Sequence, residues 1–173
     1  YLVLGLLVER VSGESYYVYV RNHFYEPAGL ARTAHFAVDS LPENTAVGYT
    51  TGGERGGGES SGGEGAALRR NSGLLPGRGS SAGGGYSTAE DLLRFDLAMR
   101  AGKLLSPAGT AWFYSDRATP PGPQSASPGP PPKLAGGRGA AGGAPGVNGV
   151  LEMDLDTGYT VVVLSNLDPP AVQ

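Results

Sequence analysis

The residues of this chain that could do chemistry are mostly hydroxyls, carboxylates and backbone amides. Two serines sit in the pattern G-x-S-x-G: Ser60 in Gly58-Glu59-Ser60-Ser61-Gly62 and Ser81 in Gly79-Ser80-Ser81-Ala82-Gly83. There the glycines permit a sharp strand-to-helix turn that lifts a nucleophilic hydroxyl into a site. Ser60 has neither a strand before it nor a helix after it, and Ser81 has no good strand. In a chain of 30 glycines such matches arise by chance. His23 and His35 are the possible general bases, but His23 falls on a helical stretch and His35 in a connection. Each reads more simply as a surface side chain. Glu152, Asp154 and Asp156 gather at a hairpin tip without the spacing of a calcium loop, so they read as a solvated turn. Gly137-Arg138-Gly139-Ala140-Ala141-Gly142 fits G-x-G-x-x-G. It follows proline-rich sequence and opens no helix, so the dinucleotide-binding context is wrong. Pro120–Pro132 could form a polyproline II ligand, with a linker the plainer reading.

One further feature could build a wall of a site. Gly139–Gly149 is a glycine-dense stretch followed directly by strand-like sequence. Glycine has no Cβ, so such a stretch allows close approach to the backbone. We read it as a turn feeding an antiparallel hairpin of 147–155 and 159–166, with Asp156-Thr157-Gly158 between them. Tyr159–Leu164 is apolar or β-branched throughout, as in a central strand covered on both faces. Upstream, 1–11 reads as a buried helix, apolar nearly all round, closed by Gly13. Ser15 can cap a second helix carrying Tyr16, Tyr19, Val20 and Phe24 on one side, ended by Pro27 and Gly29. An irregular connection is expected over 30–51. Ser87 with Glu90, or Thr88 with Asp91, has capping-box spacing ahead of a helix that Gly102 ends. Ser106-Pro107 predicts a short helix over 107–114. Helices before and a hairpin after imply an α+β chain whose strands need further partners.

Composition narrows the function classes. The net charge is −3, so no basic surface argues for nucleic acid. No cysteine is present, which excludes disulfides and thiolate metal sites but does not reveal the compartment. The apolar run Tyr1–Val8 is far shorter than the roughly 20 residues of a membrane span, and no basic segment precedes it. A chain that opens in mid-pattern reads as a fragment. With 30 glycines and 14 prolines the composition approaches that of disordered sequence. They concentrate in 52–85 and 117–146, and flexible segments are expected at 52–65 and 117–138. No cofactor or metal is expected.

Several blocks, in order, resemble the β-lactamase-related serine hydrolases, which include class C β-lactamases, DD-peptidases and esterases. Tyr1-Leu2-Val3-Leu4-Gly5 with Val11-Ser12-Gly13 is similar to the helix after the family's central tyrosine motif. Phe24-Tyr25-Glu26-Pro27-Ala28-Gly29-Leu30 with Thr33 resembles its F-x-P-L-G-M-x-x-T block, and Ala46-Val47-Gly48-Tyr49 its A-x-G-Y. Ala82–Leu92 resembles A-G-G-x-x-S-T-x-x-D-L, and Leu104-Leu105-Ser106 the L-L-S after it. Gly142–Gly149 with Val161–Asn166 resembles the closing hairpin. The likeness spans most of 1–51, 68–114 and 139–170. It fails at 52–65 and at 117–138, where the family carries an aromatic strand and this chain has prolines. A decayed or wrongly joined coding segment would also produce such a stretch.

The resemblance implies acyl transfer. A serine in S-x-x-K attacks a carbonyl, while the lysine and a tyrosine in Y-x-N manage the proton. A third motif, K-T-G or H-x-G, lies on a strand edge, and the residue after it donates to the oxyanion. Neither Lys103 nor Lys133 has a serine three positions before it, and no tyrosine is followed two positions later by asparagine. In the family both motifs lie upstream of the position of Tyr1. Ala140-Ala141-Gly142 occupies the place of the third motif, so Ala140 stands where a histidine or lysine is usual. Gly142 and Gly143 are the oxyanion candidates. The resemblance therefore implies the C-terminal portion of one β-lactamase/transpeptidase-like domain over 1–173, with helices packed against a partial antiparallel sheet. Its substrate would be a small-molecule ester, amide or β-lactam, and the fragment alone would be inactive. A periplasmic or secreted location goes with the family. A non-catalytic ligand- or protein-binding derivative is the alternative.

Overall fold

The computed structural model describes residues 1–51, 67–114 and 138–169. Ser60, the expected loop at 52–65 and Pro120–Pro132 lie outside them, as does 117–138 apart from Arg138. The chain divides into two units, Tyr1–Thr45 with Leu75–Phe113 and Ala46–Leu74 with Tyr114–Gln173.

The first unit is helical. Helix α1, Leu2–Ser12, stops at Gly13, whose φ of 74° lets its N–H reach the Glu9 carbonyl. Its apolar sequence predicted a buried helix, but only Gly5 is buried, and Leu2, Val3, Leu4, Leu6, Leu7 and Val11 are exposed. The described residues cover one side of α1, the Gly5 side, where the missing side chain admits Ser81. A Cβ on Gly5 would lie 2.2 Å from Ser81 Oγ. Helix α2, Tyr16–Val20, is capped by Ser15 as expected, and Glu9 Oε1 accepts from the Tyr16 N–H at 2.7 Å. Helical winding continues through a π turn, Arg21–Tyr25, into α3, Glu26–Ala28. Pro27 therefore does not end the helix. It sits just past the wider turn, where its missing N–H is accommodated. Gly29, at φ 70°, ends it, with Leu30 N–H donating back to the Tyr25 carbonyl.

Helix α4, Ala89–Arg100, resolves the choice of cap: Thr88 Oγ1 accepts from the Asp91 N–H at 3.2 Å. Its inner side places Ala98 and Met99 in the core, and the fully buried Asp96 accepts from Arg100 Nε through both oxygens at 2.9 Å. Helix α5, Pro107–Tyr114, starts as predicted, with the Ser106 hydroxyl accepting from the Gly109 N–H. Among the described residues no helix is long and apolar enough to cross a membrane.

The second unit holds the strands. β1, Tyr49–Thr50, pairs antiparallel with β2, Arg69–Arg70. β3, Arg138–Ala144, β4, Val147–Met153, and β5, Thr160–Ser165, form an antiparallel sheet in the order β3-β4-β5. The expected hairpin is β4 with β5. Two expectations are corrected. The glycine-dense stretch is a strand rather than a turn, and the turn itself is only Pro145-Gly146, with Gly146 at φ 73°. Proline followed by a positive-φ glycine is the type II signature. β5 is an edge strand among the described residues, with Val161, Val163 and Leu164 exposed, so it is not covered on both faces. Among the described residues the buried apolar side chains of this unit, Leu151 and Met153, come from the middle strand β4.

Candidate functional site

The backbone register decides what β3 can offer. Ala144 pairs with Val147 across the two-residue turn, then Gly143 with Asn148, Gly142 with Gly149, Ala141 with Val150 and Ala140 with Leu151. The pair that closes a two-residue hairpin exchanges both hydrogen bonds, and narrow and wide pairs then alternate. Ala144, Gly142 and Ala140 therefore spend their N–H groups on β4. Gly143 and Ala141 turn theirs away from it. Cβ positions fit this alternation: one built on Gly143 would lie 3.3 Å from the Val147 carbonyl oxygen, and one on Gly139 would lie 2.8 Å from that of Leu151.

The two glycines differ in a second way. Nothing lies within 4 Å of a Cβ placed on Gly142, whereas one on Gly143 would meet Pro169 Cγ at 2.7 Å. From Gly139 to Ala144 the strand carries only hydrogen atoms and methyl groups. Residues 139–143 are exposed. Among the described residues it is a backbone edge, with no acid, base or cation of its own between those positions.

A carboxylate that sequence reasoning missed holds the tip of this edge. Asp168 Oδ1 accepts from the Gly146 N–H at 2.7 Å. Its Oδ2 accepts from the Thr51 N–H at 2.8 Å, from Thr50 Oγ1 at 3.0 Å and from Thr51 Oγ1 at 3.3 Å. Asn71 Nδ2 donates to the Pro145 carbonyl at 2.9 Å, fixing the other half of the turn. Asn166 adds a third tie, donating to the Val47 carbonyl and accepting from the Tyr49 N–H. The partners of Asp168 in Thr50 and Thr51 are more than a hundred positions away, so no local pattern could have found it.

Partial burial alone would raise the Asp168 pKa. Hydrogen bonds from Thr51, Gly146 and Thr50 outweigh it and hold the carboxyl below its ordinary 3.8. A carboxyl depressed on folding stabilises fully above its unfolded value, and that contribution disappears as pH falls through the folded one. The urea midpoint of the chain should therefore drop on acidification below about pH 4, and Asp168→Asn should flatten that limb. An unchanged acid limb in the variant would remove Asp168 from the account.

The other candidates resolve into structural roles. Ser81 sits in a turn closed by Ser80 and Gly83, and its Oγ donates to the Tyr1 carbonyl at 3.2 Å. No strand–turn–helix elbow surrounds it. His23 is exposed, its Nε2 3.3 Å from Glu14 Oε2 and its ring tilted 37° against that of Tyr19 with centroids 4.4 Å apart. His35 is not the surface side chain expected. It is half-buried against Tyr16, Tyr17 and Tyr25, and the Tyr25 hydroxyl lies 3.3 Å from its Nδ1. Burial lowers its pKa from 6.5, with contact to the Ser80 backbone opposing and the Arg78 charge assisting. Asp154 is buried and serves the hairpin turn, accepting from the Asp156 and Thr157 N–H groups and the Thr157 hydroxyl. The residues Arg138–Gly142 of the glycine motif lie within β3, so no helix follows them.

Comparison with known proteins now places this architecture. The model of the Beta-lactamase family matches residues 1–173, the whole chain. The chain belongs to the Beta-lactamase family. Among curated relatives, PbpX of Bacillus subtilis (strain 168), assigned by name to the penicillin-binding proteins, is 30% identical over 108 residues, covering 61% of this chain and 24% of PbpX. Among solved structures, the penicillin binding protein of Bacillus halodurans is 28% identical with a TM-score of 0.73 over 95% of this chain and 48% of that one. The D-stereospecific amidohydrolase of a Streptomyces species, at 18% identity, shares the fold with a TM-score of 0.64, covering 95% of this chain and 47% of that one. This β-lactamase-family chain thus spans about half the length of those two structures and about a quarter of PbpX. Its α+β class and its β-lactamase/transpeptidase fold are those the resemblance implied.

Proposed function

We propose that this chain is the C-terminal part of one β-lactamase-like domain, in a serine hydrolase that cleaves an ester, amide or β-lactam through an acyl-enzyme. The observation that carries the reading is the Gly143 N–H, turned away from β4 on a strand that is an edge among the described residues and carries nothing larger than a methyl group from Gly139 to Ala144. In the reaction a serine oxygen attacks the carbonyl carbon, and its proton passes to the lysine and tyrosine pair. The carbonyl oxygen becomes an oxyanion, which Gly143 stabilises by donating a hydrogen bond. Collapse expels the leaving group, and water then hydrolyses the acyl-enzyme. A donor already held by the β3–β4 ladder needs no reorganisation as the charge develops. The Gly142 N–H points into that ladder, so Gly143 is the donor of the two.

The serine, lysine and tyrosine of this mechanism have no counterpart motif in these residues. The purified 173-residue chain is therefore expected to turn over neither nitrocefin nor p-nitrophenyl esters. Turnover that a serine substitution abolishes would overturn this. In an intact protein carrying the chain, a transition-state analogue should shift the Gly143 amide resonance. An unmoved resonance on a saturated site would remove Gly143 from the oxyanion role.

Ala140 favours a second reading. A methyl group stands where the family has a histidine or lysine, and it can neither orient a substrate carboxylate nor assist a proton transfer. A non-catalytic derivative that binds a small molecule or a protein would keep the fold and dispense with that group. Covalent labelling of the intact protein by a fluorescent penicillin supports the hydrolase, and reversible binding without acylation supports the derivative.

A further inference from the structure

The helical unit contains a crevice of about 410 Å³, within the range of small-molecule sites. Tyr17, Tyr25 and Phe36 give it aromatic walls, His35 lines it as well, and Arg21 and Arg78 bring positive charge to it. No aspartate or glutamate lines it. Arg21 is committed: its Nε lies 3.7 Å from Glu26 Oε1 and 3.4 Å from Asn22 Oδ1.

Arg78 is held differently. Its guanidinium carbon lies 3.8 Å from the centroid of the Tyr17 ring, and its Nε donates to the His35 carbonyl at 2.8 Å. The Tyr17 hydroxyl in turn donates to the Gly79 carbonyl, which fixes the ring beneath the guanidinium. One nitrogen and one face of Arg78 are thus engaged in keeping it in place. No carboxylate pairs with it among the described residues, and its two terminal nitrogens have no acceptor there. A planar fork held in position and left unneutralised matches the two oxygens of a carboxylate. Aromatic walls beside it suit a flat apolar body.

We propose that this crevice binds an aromatic carboxylate, with the carboxylate on the Arg78 fork and the ring against Tyr25 and Phe36. The site is built wholly from the helical unit, and it is independent of the acyl-transfer reading. Arg78 supplies a specific charged contact, and no carboxylate among the described lining residues competes for it. Removing a hydrogen bond to a charged group costs about tenfold to a hundredfold in affinity.

The test is a titration of the 173-residue chain with 2-naphthoate, followed by tyrosine fluorescence and by amide shifts. Saturable binding is expected, with shifts centred on Tyr17, Tyr25, His35, Phe36 and Arg78. The neutral 2-naphthamide should bind at least about tenfold more weakly, and so should 2-naphthoate to Arg78→Gln. Arg78→Lys keeps the charge and the stem packing but loses the fork, so a weakened site in a chain with native circular dichroism separates recognition from misfolding. Acid and amide binding equally, acetate binding as well as naphthoate, or unchanged affinity in Arg78→Gln would each overturn the assignment.

Discussion

Replacing Asp91 by alanine should cost about 4 kcal/mol of stability, read as a large drop in the urea midpoint at constant slope. Its side chain is almost wholly removed from solvent. Its Oδ2 accepts from the Arg32 N–H at 2.7 Å and from Thr33 Oγ1 at 2.8 Å, and Arg94 Nη1 lies 3.8 Å from Oδ1. Alanine leaves the Arg32 amide and the Thr33 hydroxyl without that acceptor. Each such loss to a charged group is worth about 1.5–3 kcal/mol. The charge also sits in the first turn of α4, where it opposes the positive end of the helix dipole and adds about 0.5 kcal/mol. Asp91→Asn keeps one acceptor oxygen and should cost roughly half as much. Thr88→Ala removes only the cap and should cost about 1 kcal/mol. If Asp91→Ala cost no more than Thr88→Ala, the tie to residues 32 and 33 would carry no weight, and Asp91 would be only a helix-start residue.

Replacing Gly48 by alanine should cost about 3 kcal/mol and loosen the turn that presents β3. A Cβ there would lie 2.2 Å from Asn71 Nδ2 and 2.4 Å from the Gly146 carbonyl oxygen. Asn71 cannot swing aside without giving up its bond to the Pro145 carbonyl, and its own N–H is held by the Gly48 carbonyl. The Gly146 carbonyl is backbone, in a turn pinned by Asp168. Relief must therefore come from moving the chain, at the cost of the hydrogen bonds around Asp168. Gly142→Ala is the matched control. Its added Cβ meets nothing within 4 Å, so stability should change by no more than about 0.5 kcal/mol. Hydrogen exchange should show Gly48→Ala raising exchange at Gly146 and Thr51, the amides bound to Asp168. Unchanged exchange there, with stability intact, would show that the two loops are not packed as tightly as these distances require.

These two sites mark what could and could not be read along the chain. Gly13 and Gly29 as helix stops, Ser15, Thr88 and Ser106 as caps, and β4 with β5 as a hairpin were legible. Each depends on residues a few positions apart and on the conformational limits of glycine, serine and threonine. Asp91 was legible as a cap partner but not as the anchor of residues 32 and 33, because that contact joins segments far apart in sequence. β3 was missed because six of its seven residues are glycine or alanine, which carry no strand preference and no alternation to read. It is a strand because β4 supplies its hydrogen-bond partners.

The sequence alone carried the helix caps and glycine stops, the closing hairpin and membership of a hydrolase family, since all of these are written in local residue types and their order. The buried helix it predicted is exposed on most of its surface, because burial depends on what else packs there, which an apolar pattern does not specify. Only the tertiary structure decided that Gly143 rather than Gly142 turns its N–H outward. That choice follows from register, and register is set across strands by the Pro145-Gly146 turn and by Asp168 and Asn71 holding it from distant loops.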